Sequence, residues 1–393
     1  MPGIDPAAGP ATEAAARYGL GPTEAALVGL GAHLAREQVG PQAAQWERER
    51  RIGHEALQTA VTLGLTRLQV PVAAGGLGAS FACKAALAEV LAGGDFGFTM
   101  SWLNTHNVAA KLARDAAPAL AARYLPDLIA ARRLGCTALS ELGAGSDFAA
   151  ITTRAERRDG GWLLSGAKAW ITNAAEADVV VLYAQTEPGS GGRGIACFLV
   201  DGQRAGFVRE PAFALGGQHS IGTGGFRLDG YRADEAEMLH PPGQAFKAAL
   251  VSINGARTYI AAMCCGMVAE ALRVAQAHGR QRHSFGQPLA DHQGWRWRLA
   301  EAASELAACR LMVAQAARQI DAGLDAQLIA AQAKLLACRL ADRQLPALLQ
   351  AMGAEGLREQ HPFARHLMGA RVAGFVDGST EMLLERISAN LAR

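Results

Sequence analysis

Asp377 stands in the stretch Gly374-Phe375-Val376-Asp377-Gly378-Ser379-Thr380-Glu381-Met382, where apolar residues lead into an acid and a Gly-Ser-Thr turn follows. A carboxylate on an apolar approach to a turn reads in two ways. It is an ordinary surface loop, or it is a base aimed into a pocket, where burial raises its pKa toward that of the proton it must take.

Four further stretches carry chemistry-bearing residues. Thr137 to Ala149, "TALSELGAGSDFA", runs from a strand-like start into Gly-Ala-Gly-Ser-Asp. Its glycines let backbone N–H groups approach a polar ligand, and its hydroxyls add hydrogen bonds. Gly166 to Asp178 contains Trp170-Ile171-Thr172-Asn173, a large aromatic beside a hydroxyl donor on a strand. That pair suits a flat conjugated ring such as an isoalloxazine. In Gly279 to Gln293, Arg282 and Ser284 precede Phe285-Gly286, and a guanidinium two residues from a hydroxyl can hold a phosphate. In Leu348 to Glu359, Gln350, Gly353 and Gly356 mark a helix end and a tight turn. Taken singly, each is as readily a turn, a core tryptophan or a helix cap.

The elements that must position these residues fall into three textures. From about Thr23 to Ala131 apolar residues recur at three and four, as in "EALQTAVTLGLTRLQV", which predicts helices. From about Gly135 to Ala233, short runs such as "ADVVVLYAQT" and "GIACFLVD" between turn clusters predict an antiparallel sheet or small barrel. From about Gly243 onward the chain is helical again, and Leu299 to Ala322 and Ala326 to Met352 are long enough to be bundle helices covered by one another or by a partner subunit. The expected fold class is therefore α+β: a flexible lead-in at 1–23, an N-terminal helical domain at 24–133, a middle β domain at 134–242 and a C-terminal helical domain at 243–393.

Composition narrows the function. The net charge of +2 with no long block of like charge argues against nucleic acid or an anionic membrane as the main partner. The 7 cysteines contain no Cys-x-x-Cys pair, so neither a disulfide framework nor a metal site is expected, and they read as small buried hydrophobes in a reducing compartment. The N-terminus lacks a basic start and an apolar core, and the apolar run Tyr259 to Met267 is too short to span a bilayer. A soluble cytoplasmic protein is expected.

Together, in this order, the four motifs resemble the acyl-CoA dehydrogenase family of flavoproteins over nearly the whole chain from about residue 24. The family's Thr-Glu-Pro-x-Ala-Gly-Ser-Asp pattern stands here as Ser140 to Asp147, and its Trp-Ile-Thr-Asn is intact at 170–173. Its Arg-x-x-Phe-Gly with a following Gln stands as Arg282, Phe285-Gly286 and Gln293, and its Gln-x-x-Gly-x-x-Gly as Gln350, Gly353 and Gly356. The resemblance implies FAD. It places Thr137, Leu139 and Ser140 on the flavin pyrimidine side, and Trp170 and Thr172 beside the dimethylbenzene–N5 region. It places Arg282, Ser284, Phe285, Gln350 and Gly353 on the pyrophosphate and adenine across a subunit boundary. Gln293, Ser146 and Ser379 join the cofactor set, while Ser146, Arg257 and Gly378 touch the thioester ligand, Ser146 and Arg257 at its pantetheine arm or 3′-phosphate end. It further implies a homo-oligomer (a dimer or a dimer of dimers), an acyl thioester on CoA or acyl-carrier protein, and an acceptor such as an electron-transfer flavoprotein.

In the family the segment before the last helix reads Tyr-Glu-Gly-Thr, and the Glu removes the α-proton. Here Val376-Asp377-Gly378-Ser379 matches it, so Asp377 takes the base position and a smaller residue replaces the Tyr. The alternative base position of some relatives, just before an Arg, holds Ala256. Asp is one methylene shorter than Glu, and a misplacement of about 1 Å costs on the order of a hundredfold in rate. Three readings follow: a thioester dehydrogenase with Asp377 as base and Glu141 or Glu381 as substitutes, a nitroalkane-oxidase-like flavin oxidase, since that relative also uses Asp, or a flavoprotein without turnover.

Overall fold

The computed structural model describes residues 10–391. The N-terminal part contains α1 (Pro10–Tyr18), α2 (Pro22–Leu34), which runs through a π-helical turn at Ala35–Val39 into α3 (Gly40–Glu49), then α4 (His54–Thr62), α5 (Phe81–Gly94), α6 (Phe96–Asp115) and α7 (Pro118–Ile129). The strands β1 (Gly135–Ala138), β2 (Arg154–Arg158), β3 (Gly161–Ile171), β4 (Val179–Gln185), β5 (Ile195–Asp201), β6 (Phe207–Arg209), β7 (Gly224–Asp234) and β8 (Met238–His240) follow. The C-terminal part holds α8 (Ala245–Gln281), a short hairpin of β9 (His283–Ser284) and β10 (Gln287–Pro288), α9 (Gln293–Asp321), α10 (Gln327–Met352), α11 (Phe363–Phe375) and α12 (Thr380–Leu391).

Two expectations need correction. The lead-in expected at 1–23 includes a helix: α1 carries Glu13 in its first turn and Arg17 in its last, the polarity the helix dipole favours. It is pinned by the buried Tyr18 ring and by Arg17, whose Nη1 lies 3.3 Å from Glu89 Oε1. Residues 1–9 lie outside the described residues. The sheet is mixed rather than antiparallel. Its order is β6-β7-β3-β2-β4-β5-β8, with β1 paired in parallel to β4 from Gly135↔Val179 to Ala138↔Leu182. No pairing among the described residues joins β6 to β8, so no barrel closes. Alternation along a strand is the same for either direction of its neighbour, so the sequence pattern does not reveal the parallel pair.

The sheet has an apolar layer on each face. Val179, Val181 and Tyr183 of β4 pack with α6 and α7, whereas Val180, Leu182 and Ala184 pack with Phe226 and Tyr231 of β7. The period of two thus puts alternate residues of one strand into two cores, which is why β4 and β5 read as continuous apolar runs. Helix α8 is the spine of the C-terminal bundle, packed between α5 and α10. At Gly266 an added Cβ would lie 1.9 Å from the Glu89 carbonyl oxygen, so only glycine allows α8 to meet α5 backbone to backbone. By length and composition α8 is apolar enough to cross a membrane, but 67 % of its apolar 18-residue stretch is buried in the protein, as a core helix requires. All seven cysteines are free and buried, as small hydrophobes are.

Candidate active site

The turn between α11 and α12 carries the acid singled out in the sequence. Asp377 has φ +53° and Gly378 φ +100°. Asp tolerates the left-handed region better than most residues, and Gly378 is the residue the second value favours. Lys334 of α10, with no exposed surface, donates to the main-chain oxygens of Val376 and Gly378, the latter at 2.6 Å. Arg257 of α8 donates from Nε to the Asp377 main-chain oxygen at 3.1 Å. Burial pushes the Asp377 carboxyl up from its ordinary value, and the Lys334 and Arg257 charges pull it back only in part. The Asp377 charge in turn acts on the phenol of buried Tyr259, two residues beyond Arg257.

Arg257 was expected at the pantetheine arm or the 3′-phosphate end of the thioester. In the structure its guanidinium braces the acid's own backbone through Nε. Ser379 was expected among the cofactor residues. It precedes α12, and its carbonyl accepts the Leu383 N–H at 3.0 Å, a helix-start position. Gly378 lies against Arg257: an added Cβ would stand 3.2 Å from Nη2.

A second set gathers where β1 leaves the sheet. Thr137 is the half-buried residue of β1, and the loop after it is fastened to the end of β3, with the Ala169 N–H donating to the Ser140 carbonyl at 3.1 Å. Trp170 follows at φ +63° with its indole 55 % exposed, edge-on to Phe213 at 4.9 Å between centroids. Thr172 is half-buried just beyond β3, and Ser146 is exposed in the loop. The loop's anchor is a buried pair. Lys168 Nζ lies 2.9 Å from Glu141 Oε1 and donates to the Leu139 carbonyl at 3.0 Å. Thr152 and Thr153 donate to the same carboxylate through their N–H and hydroxyl groups at 2.6–2.9 Å. Burial alone would raise Glu141, but Lys168 and the two threonines outweigh it and bring its pKa to about 2. Glu141 is therefore no base, and exposed Glu381, lowered by its own N–H and by the Ser379 hydroxyl, is none either.

A third set lies apart. Arg282, Ser284, Gln350 and Gly353 line a cleft of about 1740 Å3 between the helical parts, to which no residue of the middle sheet contributes. Phe285, at the hairpin tip with φ +51° and 97 % exposed, and Gln293, the exposed first residue of α9, do not line it. One chain thus keeps the residues of Trp170 and those of Arg282 on separate surfaces.

The sequence reading gave no role to Lys168, to Lys334 or to the motif residue Asn173, whose side-chain amide donates to the Gly135 and Ser101 carbonyls at 3.1 and 3.3 Å. The available signal was a lone lysine inside an apolar run, "AAQAKLLACRL" for Lys334. That pattern does not distinguish an inward ammonium from one that reaches out along the surface.

A broad exposed indole, a loop whose Gly143 and Gly145 have open space where a Cβ would stand, and a separate cleft with a guanidinium, a hydroxyl and an amide fit a dinucleotide with a flat ring at one end. Two helical parts thus flank a sheet, with a half-buried acid on the last turn. Sequence profiles of the acyl-CoA dehydrogenase N-terminal, middle and C-terminal domains match residues 22–132, 136–231 and 243–392, and the chain belongs to that family of FAD-dependent oxidoreductases. It is 29 % identical over 359 residues to the short/branched chain specific acyl-CoA dehydrogenase of Rattus norvegicus mitochondria, covering 91 % of this chain and 83 % of that one. The butyryl-CoA dehydrogenase structure of Megasphaera elsdenii superposes with a TM-score of 0.90 at 26 % identity, covering 95 % of this chain and 99 % of the other. A glutaryl-CoA dehydrogenase of Mycobacterium smegmatis, solved in complex with FADH2, gives 0.88 at 25 %, covering 95 % of each.

Proposed function

We propose that the protein dehydrogenates an acyl thioester, with the Asp377 carboxylate taking the α-proton. The observation that carries this reading is the state of that carboxyl: half-buried, raised above its ordinary value, and fixed on a turn held by Lys334 and Arg257. A raised pKa brings a carboxylate nearer the acidity of the proton it must abstract. The N–H of residue 377 is offered to the thioester carbonyl, where a preorganised donor stabilises the negative charge that develops on oxygen. FAD, when bound, accepts the hydride from the β-carbon. Trp170, Thr172, Thr137, Leu139 and Ser140 would orient its ring, and Arg282, Ser284 and Gln350 of a second copy would hold its phosphates and adenine. This makes a homo-oligomer the working unit. Ser146 reaches the pantetheine arm, a part that CoA and acyl-carrier protein share. Turnover would require an external acceptor such as an electron-transfer flavoprotein.

The test is anaerobic addition of short-chain acyl-CoA, and the same acyl groups on a carrier protein, to the FAD-loaded enzyme. Loss of the visible flavin band in wild type and its persistence in Asp377→Asn support the proposal. Bleaching by nitroalkanes alone, or equal bleaching in the variant, overturns it.

A further inference from the structure

We propose that Lys84, with Asn107 and Tyr259, forms a subsite for a carboxylate at the far end of the substrate's acyl group, which makes the substrate an acidic acyl thioester and rests on the dehydrogenase reading above. Lys84 lies in the first turn of α5, in "FACKAAL", and is 5 % exposed. Its ammonium has three donors. They meet the Asn107 Oδ1 at 2.5 Å and the faces of Phe81 and Tyr259 at 5.5 and 5.2 Å from the ring centroids. Among the described residues no carboxylate pairs with it.

The other two buried lysines differ. Lys168 has the Glu141 carboxylate and the Leu139 carbonyl, and Lys334 has two main-chain oxygens. A buried cation without a counter-ion is costly, and an opposite charge brought beside it offsets that cost. Burial, with Arg114 adding to it, already brings Lys84 down to about 7, and an anion beside it would restore its charge.

The position suits the acyl end of the site. Asn107 Nδ2 lies 3.3 Å from the Tyr259 hydroxyl, and Tyr259 lies between Lys84 and the Asp377 turn, within the field of that acid. An added Cβ at Gly255 would stand 3.1 Å from Phe81 Cε2, so α5 and α8 form a close wall there. Asn107, half-exposed, is the open side. The start of α5 is itself anchored: Ser80 accepts the Cys83 N–H at 3.0 Å, and the Asp321 carboxylate accepts those of Phe81 and Ala82 at 2.6 and 2.9 Å. With its own helix start already occupied by Asp321, the two Lys84 donors that face rings rather than an oxygen are what remain for a ligand. One ammonium, one amide and one phenol match a single carboxylate rather than a phosphate, which needs more donors.

The experiment compares binding of two unreactive thioethers to the FAD-loaded enzyme by calorimetry, S-(3-carboxypropyl)-CoA and S-butyl-CoA, with three- and five-carbon pairs alongside. Wild type should prefer the carboxylated member of at least one pair by roughly tenfold or more, about the effect of one buried charge-assisted contact. Lys84→Met should erase that difference, and Lys84→Arg should keep part of it. Lys84→Gln serves as a second uncharged variant if the methionine variant does not fold. Equal affinity in every pair for wild type, or equal weakening of both members in the variants, overturns the subsite. Flavin reduction separates the two claims. Reduction by butyryl-CoA with no carboxylate preference sinks only the subsite, whereas no reduction by any thioester sinks the dehydrogenase reading.

Discussion

Lys334 Nζ stands 2.6 Å from the Gly378 carbonyl oxygen and also donates to the Val376 oxygen, so one ammonium from α10 clasps the backbone on both sides of Asp377. Because the lysine is fully buried, its removal leaves two carbonyls without a donor, at about 1–3 kcal/mol each. It also takes a cation away from the acid.

Lys334→Met is therefore expected to slow flavin reduction by roughly ten- to a hundredfold, the range in which small misplacements of a base act. Lys334 lowers the Asp377 carboxyl, so losing it lets that carboxyl rise further. The acid limb of the rate–pH profile should move to higher pH. A lysine with a purely structural role would lower stability and leave the limb in place.

Asp377→Asn tests the acid itself. Reduction by thioesters should fall by about 100- to 10,000-fold, the usual contribution of a general base, with FAD retained. The stability change has the opposite sign to that of a salt-bridged aspartate. A carboxyl whose folded pKa lies above its unfolded value binds its proton more tightly in the native state, so folding loses stability as pH rises from the unfolded value through the raised one. The asparagine variant should match wild type in Tm at low pH and equal or exceed it at pH 7 in differential scanning calorimetry. A marked drop in Tm at pH 7 would mean that Asp377 is an ordinary ion-pair partner.

The bundle–sheet–bundle order was legible because helical and strand periodicity are local properties. Leu299 to Ala322 and Ala326 to Met352 became α9 and α10 within a few residues. The acid at 377 was legible because its apolar approach and its turn are adjacent in sequence. What holds it was not. Lys334 reaches it across 42 residues and Arg257 across 120, and each came from a helix read only as bundle. The parallel pairing of β1 with β4 was hidden for the same reason, since a strand's own residues carry no record of its neighbour's direction.

Glu141 anchors the loop that carries Leu139 and Ser140. Its pKa of about 2 is below the unfolded value, so the stability it contributes is present above about pH 4 and is lost as pH falls through 2. Glu141→Gln leaves Lys168 buried without its counter-charge and should cost about 3 kcal/mol at pH 7. It should also weaken FAD retention, read as the flavin-to-protein absorbance ratio after gel filtration. A variant equally stable and fully yellow would show that the pair is dispensable.

The cleft with Arg282 and the surface with Trp170 are separate on one chain, and the proposed function joins them by taking Arg282 from one copy and Asp377 from another. Arg282→Ala alone should lose FAD, and Asp377→Asn alone should keep FAD but not reduce it. Co-expressed with separate affinity tags and purified through both, the two variants give a hybrid. In it the Arg282→Ala chain supplies Asp377, and the Asp377→Asn chain supplies Arg282. One of its two sites is then intact, so about half of the wild-type reduction amplitude should return. If both residues served the same chain's site, each site of the hybrid would carry one defect and no amplitude would reappear.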